Sequence, residues 1–341
     1  MRSNQKKMKF TGFGGYCAGE SIVLRPERFK EIIYAVSNSP GKPILARGSG
    51  CSYGDAALNN EGVVLLTNRM NKLLSFDDKT GILKVEAGVK LKDILSLFGP
   101  RGWILPVVPG SSDITIGGCV AFDVHSKNHW KEGSFHRHVT EIRLILADGS
   151  IHDCSPQKEP DLFWATVGGM GLTGIIVEIT LKLRRVDAPY VKAHSIPFRG
   201  LEDLLSGLSQ ACNVHDFAVA WIDLLNLDMF GRGILFAASH VTVSEIPGLN
   251  FKKDLFFEDK TLSRVSLKPF APFFNTATNR MFNLFFYNKH VKKSLQPYFV
   301  GLRPFLFPWD NIPHWNQLYG RKGFIEYQCV LPFEGALSGI A

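Results

Sequence analysis

Two stretches of the chain combine residue types with a spacing that chemistry can use. The first, Arg47-Gly48-Ser49-Gly50-Cys51-Ser52-Tyr53-Gly54, follows the short apolar run that begins at Pro43. A glycine-rich turn of this kind points several backbone N–H groups into one concavity, which is an anion nest. Small side chains let a pyrophosphate approach the main chain, and Tyr53 offers an aromatic face to a ring system. The second, residues 106–130, reads PVVPGSSDITIGGCVAFDVHSKNHW. Pro109-Gly110-Ser111 makes a tight turn there, and Thr115-Ile116-Gly117-Gly118 opens a short helix whose N-terminus is expected to face outward. Two nests in one domain can grip a long diphosphate from both sides. His125, Lys127 and Asn128 then form a polar cluster, either a solvated loop or, between two nests, the polar wall of an active site.

A third candidate, GGMGLTG at 168–174, carries Gly169, Gly171 and Gly174 in the spacing G-x-G-x-x-G. That motif binds a pyrophosphate only when a strand enters it and a helix leaves it. Here the order is reversed. Asp161 to Val167 follows Pro160 and reads as a short helix, while IIVEITLKL at 175–183 alternates like a strand. The segment is therefore expected to be a corner from helix to strand.

The elements that must position these turns are mostly strands. Arg25 to Val36 reads as a helix opened by Pro26, residues 43–48 and 62–67 as strands, 73–88 as a hairpin and 91–98 as a short helix. Residues 141–154 form a second hairpin with Asp148-Gly149 at its turn. Strands outnumber helices without strict βαβ alternation, which implies an α+β fold rather than a doubly wound sheet. The texture changes after Arg185, and 341 residues are enough for two domains with separate cores, divided here as 1–187 and 188–341.

The formal charge of +8 favours an anionic partner without choosing among phosphates, nucleic acid and a lipid surface. No nucleic-acid-binding motif is present, so that partner class is set aside. Cys17, Cys51, Cys119, Cys154, Cys212 and Cys329 are dispersed, with no metal-ligand spacing, and read as free thiols in a reducing, cytoplasmic setting. No metal site is expected, and neither a signal peptide nor a membrane span is indicated. Residues 251–293 hold nine Lys or Arg, three Asp or Glu and ten aromatics. Two readings of them stand, a basic aromatic segment for a membrane surface or phenylalanines packed into the second domain.

Taken together, RGSGCSYGD, VPGSSDITIGGCVAFDVHSKNH, GSFHRHV, LADGSI, DLFWATVGGMGLTGII and FPWDNIPHWNQLYGRKGFIEYQCVLP resemble the vanillyl-alcohol oxidase superfamily of PCMH-type FAD-binding oxidoreductases. Within it they are most similar to the decaprenylphosphoryl-β-D-ribose 2′-oxidase family. The resemblance implies a two-domain fold in which FAD lies in the first domain and a substrate domain built on an antiparallel sheet covers the flavin ring. It implies that Arg47 to Gly54 and Gly110 with Thr115, Ile116, Gly117 and Gly118 meet the cofactor, that Asp123, Val124 and His125 run beside the flavin, and that Ile176 lies near the adenine end. His125 and Lys127 become the catalytic candidates, and Tyr53, Lys127, Asn128, Trp221 and Gln328 the substrate contacts. Relatives with covalent flavin carry His where this chain has Cys51, so non-covalent FAD is expected. The implied reaction oxidises a secondary hydroxyl of a sugar, the 2′-OH of a polyprenyl-phosphoryl ribose, with an alditol or aldonolactone oxidase as the alternative. A short-chain reductase that completes an epimerisation, and peripheral contact with a membrane, are the implied partners. The family's chain returns from the substrate domain to finish the flavin domain, whereas this one stops at LPFEGALSGIA. A C-terminally incomplete, catalytically inactive flavin-binding fragment is therefore the third expectation.

Overall fold

The computed structural model describes residues 6–39, 41–226, 231–246, 275–312 and 314–340. The part of the basic aromatic stretch at 251–274 thus lies outside the described residues. The chain divides into two compact units, one of residues 1–126, 132–185 and 321–326, the other of residues 127–131, 186–320 and 327–341.

The first unit holds two main sheets. In one, β1 (Lys7–Thr11) pairs antiparallel with β2 (Ala18–Leu24), and β3 (Ile44–Arg47) and β4 (Val63–Leu66) run parallel to β2 in the order β1-β2-β4-β3. Helix α1 (Phe29–Ser37) buries Ile32 and Ala35 with Ile22, Val63 and Leu65 in a core that also takes in Ile145, Ile175 and Val177. This helix starts four residues later than the sequence predicts. Arg28 is extended, with φ −139° and ψ 145°, and the Glu31 carboxylate accepts from the Glu27 N–H at 2.9 Å, which holds the Pro26 segment outside the helix.

The second sheet is antiparallel throughout, built from β5 (Leu73–Asp77), β6 (Ile82–Glu86), β8 (Val139–Ile145), β9 (Ile151–Cys154) and β10 (Ile175–Lys182) in the order β5-β6-β10-β8-β9. Both expected hairpins are present in it. Helix α2 (Leu91–Phe98) and a two-residue ladder between β7 (Trp103–Ile104) and β11 (Arg184–Arg185) lie alongside in the chain. Strand β10 alternates as predicted and is central, with Ile179 paired to Val85 on one side and Ile142 on the other. Three short helices, α3 (Ile116–Ala121), α4 (His129–Glu132) and α5 (Pro160–Thr166), complete the described α-helices before residue 186.

The second unit is one antiparallel sheet, β13 (Phe217–Asp223), β14 (Arg232–His240), β12 (Tyr190–Phe198) and β15 (Tyr298–Gly301) in that order. Helix α6 (Leu201–Val214) packs Leu201, Leu204 and Ala211 on Phe198, Ala218, Leu235 and Ala237. Helix α7 (Thr276–Lys293) lies against β12 and β14, opened by Asn275, whose side chain accepts from the N–H groups of Ala277 and Thr278. Helices α8 (Leu302–Leu306) and α9 (Ala336–Ile340) are short, and Ile340 packs on the α6 core. The architecture is α+β, with one mixed sheet and the others antiparallel, as the strand-rich pattern predicts. No described helix is long and apolar enough to cross a membrane.

Candidate active site

The turn after β3 is shaped by three observations. Gly50 has φ +71°, a left-handed conformation that curls the chain into a concavity. A Cβ placed there would sit 2.3 Å from Nη2 of Arg47. That guanidinium braces the loop from within, donating to the carbonyls of Ala57 at 2.7 Å and Thr11 at 2.9 Å and lying 5.0 Å from the Phe10 ring centre. Burial lowers its pKa, and the Cys51 thiol raises it by less. Arg47 therefore holds the turn in shape with its side chain.

Gly48 brings the two sequence-predicted turns together. A Cβ on Gly48 would lie 2.2 Å from the Thr115 hydroxyl oxygen, so the backbone of residue 48 passes directly over the N-cap of α3. The N-cap itself is as expected, Thr115 Oγ1 accepting from Gly118 N at 3.4 Å. The outward-facing helix N-terminus is not. Ile116 N–H donates to the Val89 carbonyl and Gly117 N–H to that of Ala87, each at 2.8 Å, so these donors are spent inside the protein. A six-residue helix with its first N–H groups bonded makes no nest, and its glycines fit tight internal packing, a Cβ on Gly117 falling 2.9 Å from Ala87 Cβ.

Downstream of α3, Asp123 has φ +41° and its carboxylate clamps His136, accepting from the His136 backbone N–H at 3.0 Å and lying 2.9 Å from Nδ1. The His136 ring meets Trp164 edge-on, with centres 5.3 Å apart. Phe135 N–H donates to Val124 O at 2.9 Å, which ties the GSFHRH segment to the chain beside His125. His125 is exposed and Ile176 buried. The GGMGLTG corner is sewn to the end of α3, Gly168 N–H donating to Val120 O at 3.1 Å and Met170 N–H to Ala121 O at 2.8 Å. It leads from α5 into β10 and is no phosphate loop.

Tyr53 lies in a cleft of about 260 Å³ lined also by Tyr16, Cys17, Asp55, Phe324 and Glu326. Its ring is held edge-on between Phe13 and Phe324, at 5.5 Å and 5.4 Å. Main chain packs on main chain here. Phe13 N–H donates to Ser52 O at 2.8 Å, and a Cβ on Gly12 would sit 2.3 Å from Gly54 O. Phe324 N–H donates to Gly14 O at 2.9 Å. Sequence reasoning missed Gly12 to Gly15 and Phe324 as builders of this wall, although Gly-Phe-Gly-Gly was a visible signal of close backbone approach.

The remaining candidates belong to the second unit. Lys127 Nζ donates to the carbonyls of Phe305 and, at 3.2 Å, Leu306, which lie at the end of α8, and sits 4.9 Å from the Phe305 ring centre. Burial pulls its pKa down to about 8. Asn128 is buried, Gln328 is exposed, and Trp221 on β13 packs on Phe286 with ring centres 4.8 Å apart.

These residues fit a diphosphate cofactor on the structure's own terms. Ser49 Oγ, in the Gly48–Gly50 turn, is buried with no hydrogen-bond partner among the described residues, and Ser126 Oγ, beside His125, is in the same state. A buried hydroxyl left unpaired is costly and signals an absent partner. Residues 21–155 match the FAD binding domain family. The chain is 32% identical over 336 residues, 96% of its length and 72% of the other's, to decaprenylphosphoryl-β-D-ribose oxidase of Mycolicibacterium smegmatis. The chain belongs to the PCMH-type FAD-binding oxidoreductases.

It is accordingly an FAD-dependent oxidoreductase. Shorter matches share only part of the chain. A putative D-arabinono-1,4-lactone oxidase of Neurospora crassa is 30% identical over 174 residues, 50% of this chain and 31% of that protein. The Δ(24)-sterol reductase of Rattus norvegicus is 36% identical over 139 residues, 40% of this chain and 26% of that protein. Relatives with such different names each match half of this chain or less, so the partial matches do not choose a substrate.

Proposed function

We propose that the protein oxidises a secondary hydroxyl of a lipid-linked sugar, the 2′-OH of a polyprenyl-phosphoryl ribose, using non-covalent FAD. The observation that carries this reading is the extent of the match. Similarity to the ribose oxidase runs over 96% of the chain, whereas similarity to the lactone oxidase covers half. FAD supplies a hydride acceptor at flavin N5 when bound. Residues 47–54 receive the diphosphate, with the Ser49 hydroxyl as one donor. Asp123 fixes its own loop through His136, and Val124 and His125 follow beside the ring. His125 takes the hydroxyl proton, and Lys127 orients the sugar and its phosphate with Asn128, Trp221, Tyr53 and Gln328. A short-chain reductase consumes the resulting ketone to complete an epimerisation. The lipid tail of the substrate requires peripheral contact with a membrane surface.

The flavin is held without a covalent bond in this reading, because Cys51 stands where relatives with a covalent link carry His. Acid precipitation of the yellow protein should release all of its FAD into the supernatant. Flavin that stays with the pellet would exclude this mode of binding.

Lys127 gives the substrate assignment a pH signature. Its pKa of about 8 lies below the ordinary lysine value, so it is charged below about pH 8 and neutral above. A charge-assisted hydrogen bond to a phosphate is worth about 1.5–3 kcal/mol. KM for a prenyl-phosphoryl ribose should therefore rise roughly tenfold as the pH passes from 7 to 9, and Lys127→Arg, which keeps its charge, should abolish the rise. The assay is anaerobic bleaching of the flavin followed by stopped flow. Bleaching by alditols or aldonolactones alone would move the protein to the alternative oxidase class.

A further inference from the structure

Helix α7 carries large apolar side chains on two sides, and among the described residues one side packs on the sheet while the other is exposed. The inner side is fixed by the sheet. Phe286 packs on Trp221 and Phe236, His290 lies 4.9 Å from the Phe236 ring centre, and Asn283 donates to Asp223 at 2.8 Å. The outer side is the unusual one. Met281, Leu284 and Phe285 fall at the i, i+3, i+4 spacing that shares one face, and they are 69%, 49% and 66% exposed. Phe282 beside them and Leu295 just past the helix end are exposed as well. A helix on the surface of a protein ordinarily turns charged and polar residues outward.

Charge completes the pattern. Residues 276–293 contain no carboxylate, while Arg280, Lys289, Lys292 and Lys293 are cationic, three of them in the last turn and a half. Some of these cations have internal duties. Arg280 donates to Leu225 O at 3.1 Å, and Lys293 lies 5.1 Å from the Tyr298 ring centre. Lys289 and Lys292 are exposed. An apolar outer face followed by lysines, with no acidic residue in the helix itself, is the chemistry of a helix that lies in a headgroup layer.

We propose that α7 docks the protein on an anionic phospholipid surface, with Met281, Leu284 and Phe285 entering the acyl boundary and Lys289 and Lys292 meeting headgroup phosphates. The idea deepens the reading of a lipid-linked substrate, and it gives the required surface contact a location. A protein partner fits less well, because an interface of this composition would offer a partner only methionine, leucine and phenylalanine ringed by one sign of charge.

The test is flotation of the full, FAD-loaded chain with vesicles of phosphatidylcholine alone or mixed with phosphatidylglycerol. The protein should float with the mixed vesicles at low salt and stay behind with the neutral ones. Each lysine near an anionic leaflet is worth about 1 kcal/mol, roughly fivefold in partitioning. Lys289→Gln with Lys292→Gln should therefore weaken binding about thirtyfold, and Leu284→Ser with Phe285→Ser at least tenfold. Both double variants should keep their flavin and their urea midpoint, since the altered side chains face outward. Failure of the parent chain to float with the anionic vesicles, or flotation that both variants leave intact, overturns the proposal. So does a concentration-dependent dimer that Phe285→Ser dissociates in the absence of vesicle binding. A chain that floats through α7 while its flavin is bleached only by soluble sugars would overturn the substrate reading and leave α7 standing; bleaching by the lipid-linked sugar in a chain that never floats would do the reverse.

Discussion

Gly48→Ala protein is expected to purify colourless, with FAD affinity lowered about a hundredfold or more. The added methyl would lie 2.2, 3.0 and 3.2 Å from Oγ1, Cγ2 and Cβ of Thr115, three atoms of one β-branched side chain already engaged as the cap of α3. Thr115 has nowhere cheap to go. Rotating its side chain gives up the bond to Gly118, and moving the turn shifts the Ser49 hydroxyl that the diphosphate is proposed to meet. Overpacking of this kind costs about 1–3 kcal/mol, and displaced donors to a charged phosphate cost a similar amount again. Fluorescence titration of the apoprotein with FAD reads the effect. Gly335→Ala, where the added methyl meets nothing within 4 Å, is the matched control. Urea unfolding of both apoproteins separates lost affinity from lost fold. Affinity of Gly48→Ala within about threefold of the parent would mean that the two turns do not form one cofactor site.

The strands that position these turns were legible because their side chains alternate. Ile175 to Lys182 reads as a half-buried strand and lies at the centre of its sheet, between β6 and β8. The GGMGLTG corner was legible through its flanks, a Pro-Asp helix start before it and an alternating run after it. What stayed hidden were partners brought from far along the chain. Thr115 announces an N-cap in its own sequence, but nothing local reveals that the carbonyls of Ala87 and Val89 absorb the next two N–H groups. Lys127 looks like a free cation, and its carbonyl partners lie 178 and 179 residues away. Phe324 reaches the wall beside Tyr53 from the distant segment 321–326, which no periodicity could place. The Asp123–His136 clamp falls between these cases. Both residues stood inside quoted motifs, yet their pairing depends on a positive φ at a non-glycine position, a conformation that composition does not announce.

The same reasoning from buried partners makes Asp223 a sensitive residue of the second unit. Asp223 and Arg232 are 1% and 5% exposed and stand opposite each other on β13 and β14. The carboxylate accepts from Arg232 Nε and Nη2 at 3.2 and 3.1 Å, from Leu225 N–H at 3.1 Å and from Asn283 Nδ2 at 2.8 Å, so one side chain joins two strands, a turn and α7. Asp223→Ala removes every acceptor at once and leaves a guanidinium buried against the Tyr287 ring, 4.6 Å from its centre. Breaking one side of a buried pair costs about 3–5 kcal/mol, a large fraction of the roughly 5–15 kcal/mol that holds a domain together. The variant should lose that much in urea unfolding followed by tryptophan fluorescence, or fail to accumulate. Arg232→Lys should also destabilise, because a single ammonium cannot reproduce the two guanidinium bonds. The double change Asp223→Leu with Arg232→Met should recover most of the loss, since neither charge then needs a partner. A loss under about 1 kcal/mol for Asp223→Ala would show that the abandoned guanidinium is not costly, and a double variant no better than the single one would place the cost in packing and in the lost Leu225 and Asn283 bonds rather than in the charge.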